Sequence, residues 1–329
     1  MTLDPVELAL IDDWQRDFPL VPRPFAVVGR AVGIGEADAI EAYARLLAQG
    51  VLSRIGAVVR PHSVGASTLA AMRVPPERLD EVAAVVSRAP LVSHNYARSH
   101  DVNLWFVVAG PDAAAVAATL DRIRAQTGLA VLDLPLQRAY HLDLGFALRT
   151  DARRRRPQLC CALEHRPDAS DRGLLAAIED GLPLSTRPYG EVAAKIGLAE
   201  SEVMARLRRL VASGVVTRFG CVVRHRALGY CANAMVVWDV PVEHADEAAQ
   251  ALVRNGRVTL CYRRSRHLPE WPYNLYCMVH ARSRPEALAV VGELDAGAGL
   301  AGRPKAVLFS ARCFKQRGAV FSSPQRSAS

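Results

Sequence analysis

Residues 92–106 read Val92-Ser93-His94-Asn95-Tyr96-Ala97-Arg98-Ser99-His100-Asp101-Val102-Asn103-Leu104-Trp105-Phe106. On an extended strand His94, Tyr96 and Arg98 share one face, because strand side chains alternate with a period of two. His100 keeps that parity and falls at the turn into the next strand. Two imidazoles, a phenol and a guanidinium in one hairpin supply proton donors near neutral pH, a hydroxyl and an anion clamp. A polar sheet face that only solvates the hairpin would carry the same residues.

A related cluster lies in the second half of the chain. Tyr262, Arg264 and Arg266 share parity, Arg263 sits between them, and His267, Trp271 and Tyr273 follow. Pro269 and Pro272 stiffen this stretch. A stiff aromatic loop beside arginines suits a flat, anionic ring ligand, although Trp271 taken alone also reads as packing on its own sheet. His141, after Arg138 and Tyr140, and Lys315, within residues 312–317, stand at corresponding places in the two halves. They could reach the same pocket or be solvated strand ends. His280 reads as a core or edge histidine, and His62, His165, His225 and His244 as surface residues.

These residues sit in a chain that repeats itself. Residues 45–56, Arg-Leu-Leu-Ala-Gln-Gly-Val-Leu-Ser-Arg-Ile-Gly, return as 209–220, Arg-Leu-Val-Ala-Ser-Gly-Val-Val-Thr-Arg-Phe-Gly. Arg23-Pro24-Phe25 returns as Arg187-Pro188-Tyr189, Tyr96-Ala97-Arg98-Ser99 as Tyr262-Arg263-Arg264-Ser265, and Asn103-Leu104-Trp105 as Asn274-Leu275-Tyr276. Residues 266–273 are an insertion between the last two motifs of the second copy. A repeat this long is a duplicated domain pair rather than a solenoid unit.

Each copy opens with helical signals. Asp4-Pro5 reads as an N-cap with Pro at the first helical position, Pro24 opens a second helix that stops near Gly33, and a third spans Glu36–Gln49. With a strand over 51–59 and a β-hairpin, this predicts a winged helix-turn-helix. Strand 67–74, helix 76–88, strands 91–98 and 103–109, helix 112–126 and strand 129–137 follow. The second copy gives strand 232–240, helix 243–255, strands 257–264 and 273–280, helix 284–295 and strand 304–311. That β-α-β-β-α-β order is ferredoxin-like, and its exposed edges predict pairing between the copies. The expected α+β architecture is a tandem duplication: winged helix-turn-helix at 1–65 and 172–229, ferredoxin-like domains at 66–148 and 230–320, a linker at 149–171 and a tail at 321–329.

Composition bounds the function. The 329 residues carry a net charge of +8 and are 50% hydrophobic and 22% charged, a globular balance. The run Arg153–Arg156 supplies half of that excess and reads as a solvated linker. No apolar run approaches the roughly 20 residues that cross a bilayer, and Met1–Leu10 lacks the order of a secretory signal. The seven cysteines form no Cys-x-x-Cys and no zinc spacing. Their odd number fits reduced thiols in a cytoplasm, mostly buried small hydrophobes, with Cys160-Cys161 in the linker.

The chain resembles the Lrp/AsnC regulators and, within that superfamily, the siroheme decarboxylases of the fused two-repeat type. The residues that carry the likeness are Val92–Phe106, Cys261-Tyr262-Arg263-Arg264, Trp271-Pro272-Tyr273-Asn274-Leu275-Tyr276-Cys277-Met278-Val279-His280, and Phe309–Lys315. One position departs from it: the second-type repeat of the family often has His before its Cys-Tyr, and this chain has Leu260. The resemblance implies removal of two ring acetate carboxyls from siroheme, giving 12,18-didecarboxysiroheme for heme d1 synthesis. It implies no cofactor beyond the iron-bearing tetrapyrrole substrate, and siroheme, related decarboxylase subunits or further copies of the chain as partners, with no membrane.

Losing carbon dioxide from a ring acetate leaves a benzylic-like carbanion. Protonating the macrocycle next to that acetate provides an electron sink, and the product carbon must then receive a proton. Both steps suit histidine, while arginines hold the remaining carboxylates. His94 and His100 are therefore the expected proton donors, unless one ligates the substrate's iron. Arg98, Arg263 and Arg264 are the expected anchors, Tyr96 and Tyr262 supports, and His267, Trp271 and Lys315 further contacts. The rivals are an Lrp/AsnC-type DNA-binding regulator and a tetrapyrrole sensor without turnover. Against DNA, the presumed recognition helices begin with acidic residues, Glu36 and Asp38 in one and Glu200 and Glu202 in the other, which phosphate repels. Arg206, Arg208 and Arg209 come late in the second and could support its wing.

Overall fold

The computed structural model describes residues 3–142, 145, 148 and 165–318. The arginine run at 153–156, Cys160-Cys161, most of the linker and the tail therefore lie outside the described residues. In chain order the first copy contains α1 (Pro5–Asp12), α2 (Pro24–Ala31), α3 (Glu36–Ala48), β1 (Leu52–Val59), β2 (Ala66–Met72), α4 (Leu79–Arg88), β3 (Val92–Arg98), β4 (Leu104–Gly110), α5 (Ala113–Thr127) and β5 (Leu132–Leu142). The second contains α6 (Ala169–Ala177), α7 (Pro188–Ile196), α8 (Glu200–Ala212), β6 (Val216–Val223), β7 (Ala232–Trp238), α9 (Val242–Arg254), β8 (Val258–Arg264), β9 (Leu275–Ala281), α10 (Arg284–Gly297) and β10 (Lys305–Gln316). Described residues within Met1–Val64, Asp143–Arg156 and Cys161–Gly229 form one unit, and those within Gly65–Leu142 and Tyr230–Ser329 the other. None of the described helices is long and apolar enough to cross a membrane.

The first unit holds both three-helix segments. Asp4 caps α1 by accepting the Glu7 N–H at 2.8 Å, and Pro5 occupies the first turn, as the sequence signals require. Leu10, Ile11, Phe18, Phe25, Tyr43 and Leu46 are buried together. The wings differ from the expected hairpins: β1 pairs antiparallel with β6 of the other copy, with Gly56 opposite Gly220. Each copy offers a single strand here, and its edge N–H and C=O groups are satisfied by the twin strand. The chain after each first helix then lies on the twin's strand. Cys221 N–H donates to the Trp14 carbonyl at 2.8 Å, and Leu182 N–H to the Ile55 carbonyl at 2.7 Å.

This close approach requires glycine in the second copy and not in the first. A Cβ on Gly220 would stand 2.4 Å from the Trp14 carbonyl oxygen and 2.6 Å from that of Gln15, whereas on Gly56 it would meet nothing nearer than 3.5 Å. Gly220→Ala is therefore expected to cost about 1–3 kcal/mol through overpacking, read as a fall in the thermal midpoint, with Gly56→Ala milder. Equal shifts would refute the assignment. The late arginines support no wing. Arg206 and Arg209 pair with Asp171 of α6 at 2.9 and 3.0 Å, and the Arg208 guanidinium donates to the Leu20 carbonyl.

The second unit closes eight strands into a barrel in the order β10-β3-β4-β2-β5-β8-β9-β7. The copies join as the exposed edges predicted. β5 pairs with β2 over residues 132–135 and then with β8 over 136–142, and β10 pairs with β7 over 305–309 and then with β3 over 310–316. The last strands therefore reach Leu142 and Gln316, past the ends at 137 and 311 that the sequence pattern gives. The added residues are ordered by the other copy's edge.

Alternating side chains sort into two layers. Ala70, Met72, Val92, Leu104, Phe106 and Val108 face outward onto Val82, Val86, Leu120 and Ile123 of α4 and α5. Cys261, Leu275, Cys277 and Val279 do the same against α9 and α10. The inner set, Ala71, Trp105, Leu134, Met235, Val237, Trp271, Tyr276 and Leu308, packs the two halves of the barrel together.

Candidate active site

Cross-strand partners point to one side of a sheet. Tyr96 lies opposite Trp105 and His94 opposite Val107, so His94, Tyr96 and Arg98 of β3 face the barrel interior. The His94 and Tyr96 rings stack with centroids 6.2 Å apart, and the Arg98 guanidinium sits 5.8 Å from the Tyr96 ring. Arg98 Nη1 donates to the Leu308 carbonyl at 3.1 Å and to Ser310 Oγ at 3.2 Å, both on β10. Ser93 Oγ lies 3.0 Å from His94 Nδ1 and fixes that ring's orientation. Arg98 is buried, while His94 and Tyr96 remain partly exposed.

The second copy repeats the arrangement with one change. Tyr262 lies opposite Tyr276 and Leu260 opposite Met278, so Leu260, Tyr262 and Arg264 of β8 correspond to His94, Tyr96 and Arg98. Arg264 Nη1 donates to the Leu134 carbonyl at 2.9 Å, as Arg98 does to Leu308, and its guanidinium stands 5.3 and 5.9 Å from the Tyr262 and Tyr276 rings. Burial pulls the Arg264 guanidinium below its ordinary pKa, against the opposing pull of Tyr262, Tyr276 and Asp133.

Other expected residues go elsewhere. His100 does not join His94. About 13 Å of extended strand separates His94 from Arg98, and His100 lies beyond Arg98, past the strand's end. Its Nδ1 accepts the Val102 N–H at 3.0 Å, and its ring meets Trp271 edge-on at 5.4 Å. The parity that grouped the two histidines holds only while the chain is extended, and a bend follows at Ser99. Arg263 alternates to the outer face, where Asp246 of α9 accepts from it at 3.2 Å and also binds Arg138 and Tyr140. Lys315 donates to the Ser87 and Ala89 carbonyls at 2.7 and 3.1 Å, so it caps α4, and burial lowers its pKa. His141 pairs in register with Cys261 as Lys315 does with Asn95, which confirms their equivalence and puts both off the inner face.

Within the inserted loop, Arg266 binds Asp239 and the Pro272 and Val240 carbonyls, and His267 Nδ1 lies 3.3 Å from Glu270. Trp271 is 0% exposed. It is an inner-layer residue, because the barrel interior accepts an indole whose N–H finds the Tyr276 hydroxyl at 2.6 Å. Sequence reasoning missed Ser310 and Asp246, whose contacts lie hundreds of positions or an element away and leave no local signal. It also missed Asn233, which stands opposite His280.

Burial lowers the His100 pKa from 6.5, Asp101 opposing and Arg73 assisting. The fold thus prefers neutral His100. That contribution is fully present above the unfolded pKa of 6.5 and is lost as pH falls below it. The thermal midpoint is expected to drop between pH 7.5 and 5.5, and His100→Gln should remove part of that drop. An unchanged pH profile in the variant would exclude His100 as a source.

The inner face thus offers, in copy one, an imidazole held by a hydroxyl, a phenol and a buried guanidinium aligned along one strand. This set can donate a proton to carbon and attract carboxylate. Among the described residues, no group of three or more His, Cys, Asp or Glu side chains could hold a metal ion of its own.

Known proteins share this organisation. Residues 63–141 and 227–315 match the AsnC-like ligand binding domain, and residues 7–52 and 171–216 the siroheme decarboxylase NirDL-like HTH domain. The siroheme decarboxylase NirDL subunit of Paracoccus denitrificans is 47% identical over 98% of this chain and 99% of its own length. The siroheme decarboxylase NirL subunit of Stutzerimonas stutzeri is 46% identical over 45% of this chain and 88% of its own. A crystal structure of the siroheme decarboxylase NirDL in complex with an iron-uroporphyrin III analogue aligns with TM-score 0.66 and 28% identity, covering 96% of this chain and 94% of that one.

Proposed function

The chain belongs to the siroheme decarboxylase family, and we propose from that membership that it is a carboxy-lyase converting siroheme to 12,18-didecarboxysiroheme on the road to heme d1. The full-length likeness to a siroheme decarboxylase carries this reading, and the inner strand face supplies its chemistry. Arg98 and Arg264 attract the carboxylates that ring the macrocycle, and their carbonyl contacts keep them in place. As the bond between an acetate methylene and its carboxyl breaks, the electron pair passes into the macrocycle and carbon dioxide leaves. His94 then delivers a proton to the methylene carbon, which becomes a methyl group, and the imidazole recovers its proton from solvent. The tetrapyrrole iron is part of the substrate. Lengthening of the last strands across the copies joins in one chain what single-copy subunits such as NirL must assemble. The scattered cysteines of the sequence suit a reducing cytoplasm, where we place the reaction.

A regulator is less supported, because Glu36 and Glu200 at the starts of α3 and α8 pair with Arg23 and Arg187, and the late arginines of α8 are spent on Asp171 and Leu20. Anaerobic incubation of the purified chain with siroheme, followed by mass analysis, is expected to show loss of two carbon dioxide units. Siroheme bound but unchanged would indicate a sensor, and tight sequence-selective gel shifts at low salt a regulator.

A further inference from the structure

The second copy lacks a histidine where the first has His94, yet Tyr262 and Arg264 repeat Tyr96 and Arg98 on its inner face. Register locates a substitute. His94 lies opposite Val107 and Leu260 opposite Met278, so Val107 and Met278 are equivalent, as are Ala109 and His280 two residues on. Ser67 pairs with Ala109, and Asn233 with His280. His280 therefore lies on the same inner face as Tyr262, one diagonal step from Leu260, about 7–8 Å between such positions.

The hydroxyl that serves the imidazole confirms the exchange. Ser93 Oγ lies 3.5 Å from the Val107 carbonyl and 3.0 Å from His94 Nδ1. Thr259 Oγ1 lies 3.3 Å from the equivalent Met278 carbonyl and 3.1 Å from His280 Nδ1. One hydroxyl in one place thus orients an imidazole in both copies. The ring comes from the third strand's own next residue in copy one and from β9 in copy two. Both rings are partly exposed. Opposite His280, Asn233 Oδ1 is buried without a hydrogen-bond partner among the described residues, a state that native structures seldom leave unfilled.

We propose that the second copy is a decarboxylation site of its own, in which His280, oriented by Thr259, is the proton donor and Tyr262 and Arg264 hold the tetrapyrrole. This rests on the reading of the chain as a siroheme decarboxylase. Each copy then removes one of the two acetate carboxyls. In the second, the methylene–carboxyl bond breaks, carbon dioxide leaves, and the pair left on carbon takes the proton of the His280 imidazolium, which solvent replaces.

The test is anaerobic turnover of siroheme by the full chain, with mass analysis that counts carboxyls lost. His280→Ala should stop at a product lacking one carboxyl, with the second loss slowed by roughly 10²–10⁴-fold. His280→Gln, which keeps an amide within reach of Thr259, should behave alike and controls for packing. His94→Ala should stop at the other singly decarboxylated isomer, and the double variant should release nothing. Leu260→His added to His280→Ala returns an imidazole to β8 and should restore part of the second loss. Complete double decarboxylation by His280→Ala at the wild-type rate, or no loss at all from His94→Ala, would overturn the proposal while sparing the general reading. A wild-type chain that releases no carbon dioxide would overturn both.

Discussion

Replacing His94 by Ala is expected to slow formation of the doubly decarboxylated product by roughly 10²–10⁴-fold, the range that a positioned general acid contributes. Its ring stacks on Tyr96 and is turned by Ser93, so the proton is delivered from one orientation rather than from a freely rotating side chain. The fold should tolerate the change. His94 is partly exposed, and the Ser93 hydroxyl keeps the Val107 carbonyl as a partner. Binding of siroheme should weaken only slightly, because Arg98 stays anchored to Leu308 and Ser310. Loss of the doubly decarboxylated product with an unchanged melting curve and retained siroheme absorbance is the expected pattern. His94→Ala at full rate would remove the imidazole from the mechanism. His100→Ala should show the converse, lowered stability with turnover largely kept, because its ring and Nδ1 are used in packing.

Trp271→Ala is expected to destabilise the barrel by about 3–5 kcal/mol, the usual cost of emptying a buried indole's place. The ring is fully buried and has Trp105 and Tyr273 both at 4.9 Å and His100 at 5.4 Å. Its loss also strips the Tyr276 hydroxyl of its indole donor. Trp271→Phe should separate the two contributions: most of the volume returns, and the unpartnered hydroxyl leaves a residual cost of about 1–3 kcal/mol. Urea denaturation measures both. A Trp271→Ala change within about 0.5 kcal/mol, the range of ordinary surface substitutions, would mean that the loop does not hold the two halves together.

The sequence was most informative where the physics is local. Asp4-Pro5 had to cap α1, the alternation around Tyr96 had to place three candidate side chains on one face, and the repeated motifs had to build two like copies. Even the departure at Leu260 was legible, because the resembled family often has His before the Cys-Tyr of its second-type repeat. It was least informative where the chain meets itself at long range. Parity grouped His100 with His94, but a bend at Ser99 ends the rule that parity depends on. Charge and residue type put Arg263 and Lys315 among the ligand contacts, yet a one-residue step to the outer face delivers one to Asp246 and the other to the end of α4.

Residue order alone therefore determined the elements, the duplication and the inner-face triplet, since each follows from backbone period, capping and self-similarity within one segment. Tertiary structure decided which strand completes which copy. β1 finds β6, β5 reaches β8 and β10 reaches β3 because every edge must satisfy its hydrogen bonds, and no single segment records which edge that will be. It likewise decided that Trp271 closes the interior and that His280 comes to stand beside Thr259, since both depend on register between strands rather than on spacing along one.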